Sequence, residues 1–147
     1  MSGKTHFGAS TLPLNPGTGV LFVTEDSCGA VSVFVGITRK DTCNGKTVTA
    51  LEFETHLPLL HAELEAIVQR GRVNFPDITN VYIEHRIGKV DIGEANIVIG
   101  VSSPHRKSAI HAVDSLMDDI KRTLPIWKKE LFDDNTHVWK HNTENNW

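Results

Sequence analysis

The stretch Asn96 to Glu130, NIVIGVSSPHRKSAIHAVDSLMDDIKRTLPIWKKE, constrains this chain more than any other. It opens with the apolar run Ile97-Val98-Ile99-Gly100-Val101, short enough for a buried strand. Ser102, Ser103 and Pro104 then predict a helix start. A serine hydroxyl can accept from a free N–H at the N-cap, and proline suits the first helical position. Ala109, Ala112, Val113, Leu116, Met117, Ile120 and Leu124 follow at three- and four-residue spacing. They form one apolar stripe, so the helix is expected to pack on a sheet. Pro125 cannot continue it.

Cations mark both ends of this helix. His105 and Arg106 lie in its first turn, where free N–H groups and the positive end of the dipole favour an anion. Lys121 lies near its end, and Lys128 and Lys129 follow the proline. Arg106 and Lys121 are separated by roughly 22 Å along a straight helix. One small ligand cannot touch both. Either the two ends serve different purposes, or a second copy of the chain brings its helix start to this helix end. Basic residues in a last turn also complement the helix dipole without any ligand.

The surroundings point to α+β. Val20–Thr24 reads as a short strand, and residues 1–18 as a flexible, polar arm, leaving 19–147 as a single domain. Gly29–Gly36 alternates as a strand, with Val31, Val33 and Val35 on one face and Ser32 and Phe34 on the other. Asn44-Gly45 predicts a turn into a strand over Thr47–Glu54. Arg39 stands in the loop before it, where a side chain can be held over a pocket. A helix starts at Leu57-Pro58, buries Leu60, Leu64, Ile67 and Val68, and ends near Arg70-Gly71. Val81–Ile87 alternates as a strand that turns His85 inward, as a hydrogen-bonded core histidine rather than a ligand. Gly88–Glu94 reads as a loop. A short strand, a turn at Asp133-Asp134-Asn135 and a strand around His137–Trp139 close the domain. The terminal Trp147 is expected to dock on its own chain or on a partner. Hairpin-like order favours a mainly antiparallel sheet with two main packed helices over a doubly wound parallel one.

Composition narrows the function classes. A net charge of −3 argues against general nucleic-acid binding. The cations above are a local cluster, which fits a small anionic ligand better than a polymer. No apolar run reaches membrane-spanning length, and the first thirty residues lack a signal-peptide core, so a cytosolic, cytoplasmic protein is expected. Cys28 and Cys43 show no zinc spacing and read as free thiols. None of the eight histidines forms an HExxH pair, and no metal site is expected.

The segments GAVSVFVGITRKD, LEFETHLP, HRIGKVDIGEANIVIGVSSPHRKSA and DDIKRTLPIWKKE together resemble the large, catalytic subunit of molybdopterin synthase, the MoaE family. The resemblance runs from Gly29 to about Trp139. Its helix-opening SxHR, a lysine, and PxWKxE beyond it are not a generic combination. It implies a hammerhead-type α+β fold and a homodimer, with one small subunit at each end to make a heterotetramer. The implied small partner is a ubiquitin-like sulfur carrier whose C-terminal Gly-Gly bears a thiocarboxylate. The implied activity is that of a sulfurtransferase. Sulfur passes to cyclic pyranopterin monophosphate and forms the dithiolene of molybdopterin, in two transfers that consume two carriers. No cofactor of the enzyme's own is implied.

The resemblance also assigns residues. The substrate pocket falls on Ile37, Thr38, Arg39, His105, Arg106, Lys121, Lys128, Lys129 and Glu130, with Phe34 and Met117 as an apolar wall. His105 and Arg106 would come from one protomer and the lysines from the other. Lys121 and Lys128 are the expected catalytic pair. Lys121 would exchange protons, its pKa depressed among other cations, and Lys128 would stabilise an oxyanion. A transient bond from lysine to the carrier tail is also chemically possible. The family's basic residue after the last strand has Lys140 and His141 near its place, and no role is carried to either. The alternative is a non-catalytic scaffold that holds a phosphate ligand or a carrier tail in the same cationic pocket. A phosphate-ester hydrolase ranks below both, without a metal or nucleophile motif.

Overall fold

Strand β2 (Ala30–Ile37) pairs antiparallel with β7 (Ala95–Ser103) along its whole length in the computed structural model, which describes residues 3–141. Together with β5 (Val81–Arg86) and β1 (Thr5–Ser10) these strands make a four-stranded sheet, order β1-β5-β7-β2. Only the β1–β5 pair in it is parallel. A second sheet is built on β4 (Lys46–Thr55), which pairs with β8 (Ile126–Phe132), and β8 with β9 (His137–His141). The other edge of β4 carries β3 (Thr42–Cys43) and β6 (Gly88–Asp91). The fold is α+β and mainly antiparallel, as expected, but it has two sheets instead of one.

Two long helices cover one face of the first sheet. They are α2 (Leu57–Asn74) and α3 (Arg106–Thr123). The stripes predicted for both are buried: Leu60, Leu64, Ile67 and Val68 of α2, and Ala109 through Ile120 of α3. They meet Ile83, Ile97, Ile99 and Val101 from the strands in one core. Each such fully buried aliphatic side chain contributes about 1.5–3 kcal/mol of transfer free energy. Gly71 of α2 is needed where the helices touch, since a Cβ there would stand 2.9 Å from Leu116.

Four sequence expectations are corrected. Residues 5–10 are not a mobile arm but β1, hydrogen-bonded along β5. Residues 20–24 are not a strand. They end the short helix α1 (Pro16–Val23), capped by the Asn15 side chain, which accepts from Gly17 N–H at 2.9 Å. That helix covers the second face of the sheet, where Val33 and Val35 pack with Val23, Tyr82 and Val98. Its two glycines and lack of an apolar stripe hid it. Residues 88–91 are strand β6 rather than loop; Gly88 and Gly93, at φ +85° and +84°, turn the chain into and out of the second sheet. Lastly, α3 starts at Arg106, two residues beyond Pro104. Ser102 and Ser103 finish β7, and Ser103 Oγ donates to the His105 carbonyl instead of capping. Trp147 lies outside the described residues. Among those residues, no helix is long and apolar enough to cross a membrane.

Candidate active site

The chain passes from sheet to sheet without an intervening helix at β2–β3, β5–β6 and β6–β7, and a cleft opens beside these crossings. From Arg86 it leaves the first sheet, runs as β6 beside β4, and returns at Ala95 as β7. The C-terminal end of β2 and the start of β7 therefore face the middle of β4 and β8. Between them lies a cleft of about 290 Å³. Phe34 and Ile37 of β2, Arg39 and Asp41 of the following loop, Asn96 of β7, Leu51 and Phe53 of β4, and Lys128 and Glu130 of β8 line it.

Topology also brings Lys121 to this end. β7 runs away from the cleft, and α3 turns back over the same sheet. Eighteen residues of helix cover about 27 Å and nine of strand about 30 Å, so the helix end returns to the level of the cleft. Lys121 is half-buried there, close enough for its charge to act on Lys128. By the same geometry His105 and Arg106 sit at the far end of α3, exposed, and do not line the cleft.

Strand alternation sorts the PIWKKE residues. Lys128 and Glu130 share one face of β8, and Lys129 points to the other. Lys129 is held there by Glu52 at 3.0 Å and lies 4.9 Å from the Trp139 ring centre. The structure thus separates Lys129 from the cleft into which the sequence pattern grouped it. Thr38 is also outside the lining. It is 1% exposed and closes the β2 exit through its backbone, donating to the Glu94 carbonyl and accepting from Gly93 N–H. Met117 is in the core, packed among the α3 stripe, rather than on the cleft wall. The apolar wall beside Phe34 is Leu51 and Phe53 instead.

The electrostatics single out Lys128. Burial pushes its pKa down to about 8, and the cations Lys140, Arg39 and Lys121 push the same way against Glu130. Lys140 is its direct cross-strand partner, a like-charge pairing that is unfavourable alone. Glu130 offsets it, holding Lys140 at 2.9 Å and raising the Lys140 pKa through that hydrogen bond. Arg39 pairs with Asp41 at 3.2 Å, both side chains exposed. Behind Phe53, the His85 ring meets it edge-on at 4.9 Å. His85 Nδ1–H donates to the Arg86 carbonyl at 2.6 Å. Burial first, then the Lys128 charge, lowers its pKa to about 4, so this imidazole is neutral.

Leu51, Phe53, Asp41, Asn96 and Lys140 were not assigned to the site from sequence. Leu51 and Phe53 carry only a strand pattern, and Lys140 depends on the β8–β9 register. The arrangement is a partly desolvated cleft lined by two cations, Arg39 and Lys128, and two carboxylates, Asp41 and Glu130, with Lys121 and Lys140 adding positive charge beside Lys128. It can hold an anion, stabilise a developing oxyanion and exchange a proton near neutral pH.

Comparison with known proteins bears on this geometry. Residues 10–123 match the family model described as MoaE protein. The chain is 44% identical over 127 residues to molybdopterin synthase catalytic subunit 1 of Aedes aegypti, covering 85% of this chain and 81% of that one. It superposes on the molybdopterin synthase crystal structure from Staphylococcus aureus with a TM-score of 0.85 and 34% identity, covering 91% and 96% of the two chains. A complex of subunits 1 and 2 of molybdopterin-converting factor from Helicobacter pylori shares the fold at a TM-score of 0.71 and 22% identity, covering 90% and 88%.

Proposed function

Because the chain belongs to the MoaE protein family, we propose that it is the catalytic subunit of a molybdopterin synthase, an enzyme of molybdenum cofactor biosynthesis. In this reading it is a sulfurtransferase. The donor is the C-terminal thiocarboxylate of a small ubiquitin-like carrier subunit, and the acceptor is cyclic pyranopterin monophosphate. Each transfer forms a carbon–sulfur bond on the substrate and breaks the carrier's acyl–sulfur bond, with water restoring the carrier's ordinary carboxylate. The partnership with a second subunit is supported by the Helicobacter pylori assembly, a complex of two subunits of which one chain shares this fold. In this reading it works in the cytosol.

The observation that carries the reading is Lys128, desolvated in the cleft with Arg39, Lys121 and Lys140 around it. Both reactants are anionic, and a cationic site removes their repulsion. With its pKa lowered to about 8, Lys128 is still mainly protonated at pH 7. That suits an oxyanion stabiliser, which must be cationic when the thiocarboxylate carbon is attacked. Lys121 would exchange the proton, and Arg39 would hold phosphate by its planar fork. His105 and Arg106 would reach the same pocket from a second protomer. Lys129, turned to the other face, is left with a role in holding β4 to β8 through Glu52.

A pH profile follows from this role. Single-turnover sulfur transfer should decline as pH rises through about 8, where Lys128 loses its proton. In Lys128→Arg, which stays cationic, the residual activity should lack that limb. A rising limb at the same pH would assign Lys128 the neutral-amine role instead. The same shift has a sign for stability. Between pH 8 and the ordinary lysine range the unfolded chain holds a proton that the native Lys128 does not, so folding stability should rise with pH there.

The direct test is a single-turnover assay with cyclic pyranopterin monophosphate and a thiocarboxylated carrier, followed by mass for dithiolene formation. Product is expected. A demonstrated carrier complex with no product would favour the non-catalytic scaffold.

A further inference from the structure

Asn96 lies on an irregularity in the β2–β7 strand pair. Gly36 pairs with Ile97 and Ile37 with Ala95, which leaves Asn96 as the extra residue of a β-bulge. A bulge breaks the alternation of a strand and re-aims the side chain it carries. Asn96 lines the cleft that holds Lys128, Arg39 and Glu130. It is only 3% exposed, and its Oδ1 is buried without a hydrogen-bond partner. Buried amides are normally satisfied, and an apolar side chain of the same shape would avoid the cost of an unmade bond. Asparagine is also a poor strand former. Neither packing nor propensity accounts for it at this position.

Gly36 is fitted to this amide. A Cβ on Gly36 would stand 2.6 Å from Asn96 Oδ1 and 2.7 Å from an Ile97 methyl. The strand opposite the bulge is thus bare where the amide lies. The apolar walls Phe34, Leu51 and Phe53 flank the same space, so a flat or extended group would meet the amide away from water.

We propose that Asn96 is a specificity-determining residue: it reads an amide edge, an N–H beside a C=O, on the molecule that enters the cleft. An asparagine side chain offers a donor and an acceptor next to each other. A half-turn about its last torsion presents them in either order. This rests on the synthase reading, in which two reactants carry such an edge. One is the pterin heterocycle; the other is the terminal Gly-Gly peptide of the carrier. The chemistry recognised is the same, and kinetics distinguish the source.

The experiment measures KM for each reactant and kcat in the wild type, Asn96→Leu and Asn96→Ser, with melting temperatures alongside. Leucine keeps the branch at Cγ without hydrogen bonding, at a larger volume. Serine removes the two-point match and adds no bulk, so it reports even if the leucine variant folds poorly. A rise of about tenfold or more in one KM, with kcat nearly unchanged, is expected. If the pterin KM rises alone, Asn96 reads the heterocycle; if the carrier KM rises alone, it reads the Gly-Gly peptide. Unchanged KM values for both, with a melting temperature equal or higher, would make Asn96 an inert buried amide and overturn the proposal. Equal rises in both KM values, or a fall in kcat with a lower melting temperature, would mark packing damage and overturn it too. Wild-type turnover keeps the two readings separate. No product from the wild type sinks the synthase reading, whereas normal wild-type turnover with indifferent variants sinks only the role of Asn96.

Discussion

Lys128→Ala is expected to lower sulfur transfer by about 10²–10³-fold, the effect of deleting one preorganised oxyanion donor. The variant should fold. Lys128 is a partly exposed residue on β8, and its removal relieves a like-charge pairing with Lys140. Lys121→Ala is expected to cost about 10²–10⁴-fold if Lys121 moves the proton. It too is only half-buried, at the end of α3. Circular dichroism and size-exclusion profiles like those of the wild type would separate a chemical defect from a structural one. Near-normal single-turnover rates in either variant would remove that lysine from the mechanism. The two losses should not add, since both groups act on one reacting centre. Lys129→Ala is the internal contrast. Its side chain lies on the opposite face against Glu52 and Trp139, so rates should hold while stability falls slightly.

The second large effect is a recovery. His105→Ala and Lys121→Ala should each be nearly inactive alone, and mixing them should restore activity. The reason is the length of α3, which keeps His105 and Lys121 of one protomer at opposite ends. If a pocket takes His105 from one protomer and Lys121 from its partner, a mixed two-fold dimer has one site with both defects and one intact site. Random exchange makes half of the dimers mixed, so about a quarter of wild-type activity should return. Subunit exchange would be followed with differently tagged protomers and native mass spectrometry. Confirmed exchange without recovered activity would refute a shared pocket and send His105 and Arg106 to some other role.

The sequence was most informative where side-chain period and chemistry agreed. The α2 and α3 stripes are legible because a helix buries every third or fourth residue, and those residues are indeed the core. β2 and β5 are legible through alternation, β7 as a short apolar run and β4 through the Asn44-Gly45 turn, where Asn44 and Gly45 take φ values of 52° and 78°. The proximity of Arg39, Lys128 and Glu130 could be expected only through the family resemblance. No local pattern links residues that far apart in the chain.

What escaped the sequence has a common physical cause. β1, α1 and β6 have weak intrinsic preferences and exist because a neighbour supplies their hydrogen bonds or apolar cover. β5 pairs with Thr5–Ser10, the valine face of β2 needs Pro16–Val23 over it, and β4 has an open edge for Gly88–Asp91. The site follows the same rule. Alternation on β8 separates Lys129 from Lys128 and Glu130, but which face meets the cleft depends on the pairing with β4. The lowered Lys128 pKa comes from desolvation and from Lys140, opposite it only in the β8–β9 register. Asn96 enters the cleft through a bulge that is a property of two paired strands, not of either alone. By itself, then, the sequence determined the two long helices, the main strands and the types of charge available, since these depend on near neighbours. The tertiary structure alone decided which charges share a desolvated cleft, because burial and cross-strand register arise only when distant segments pack.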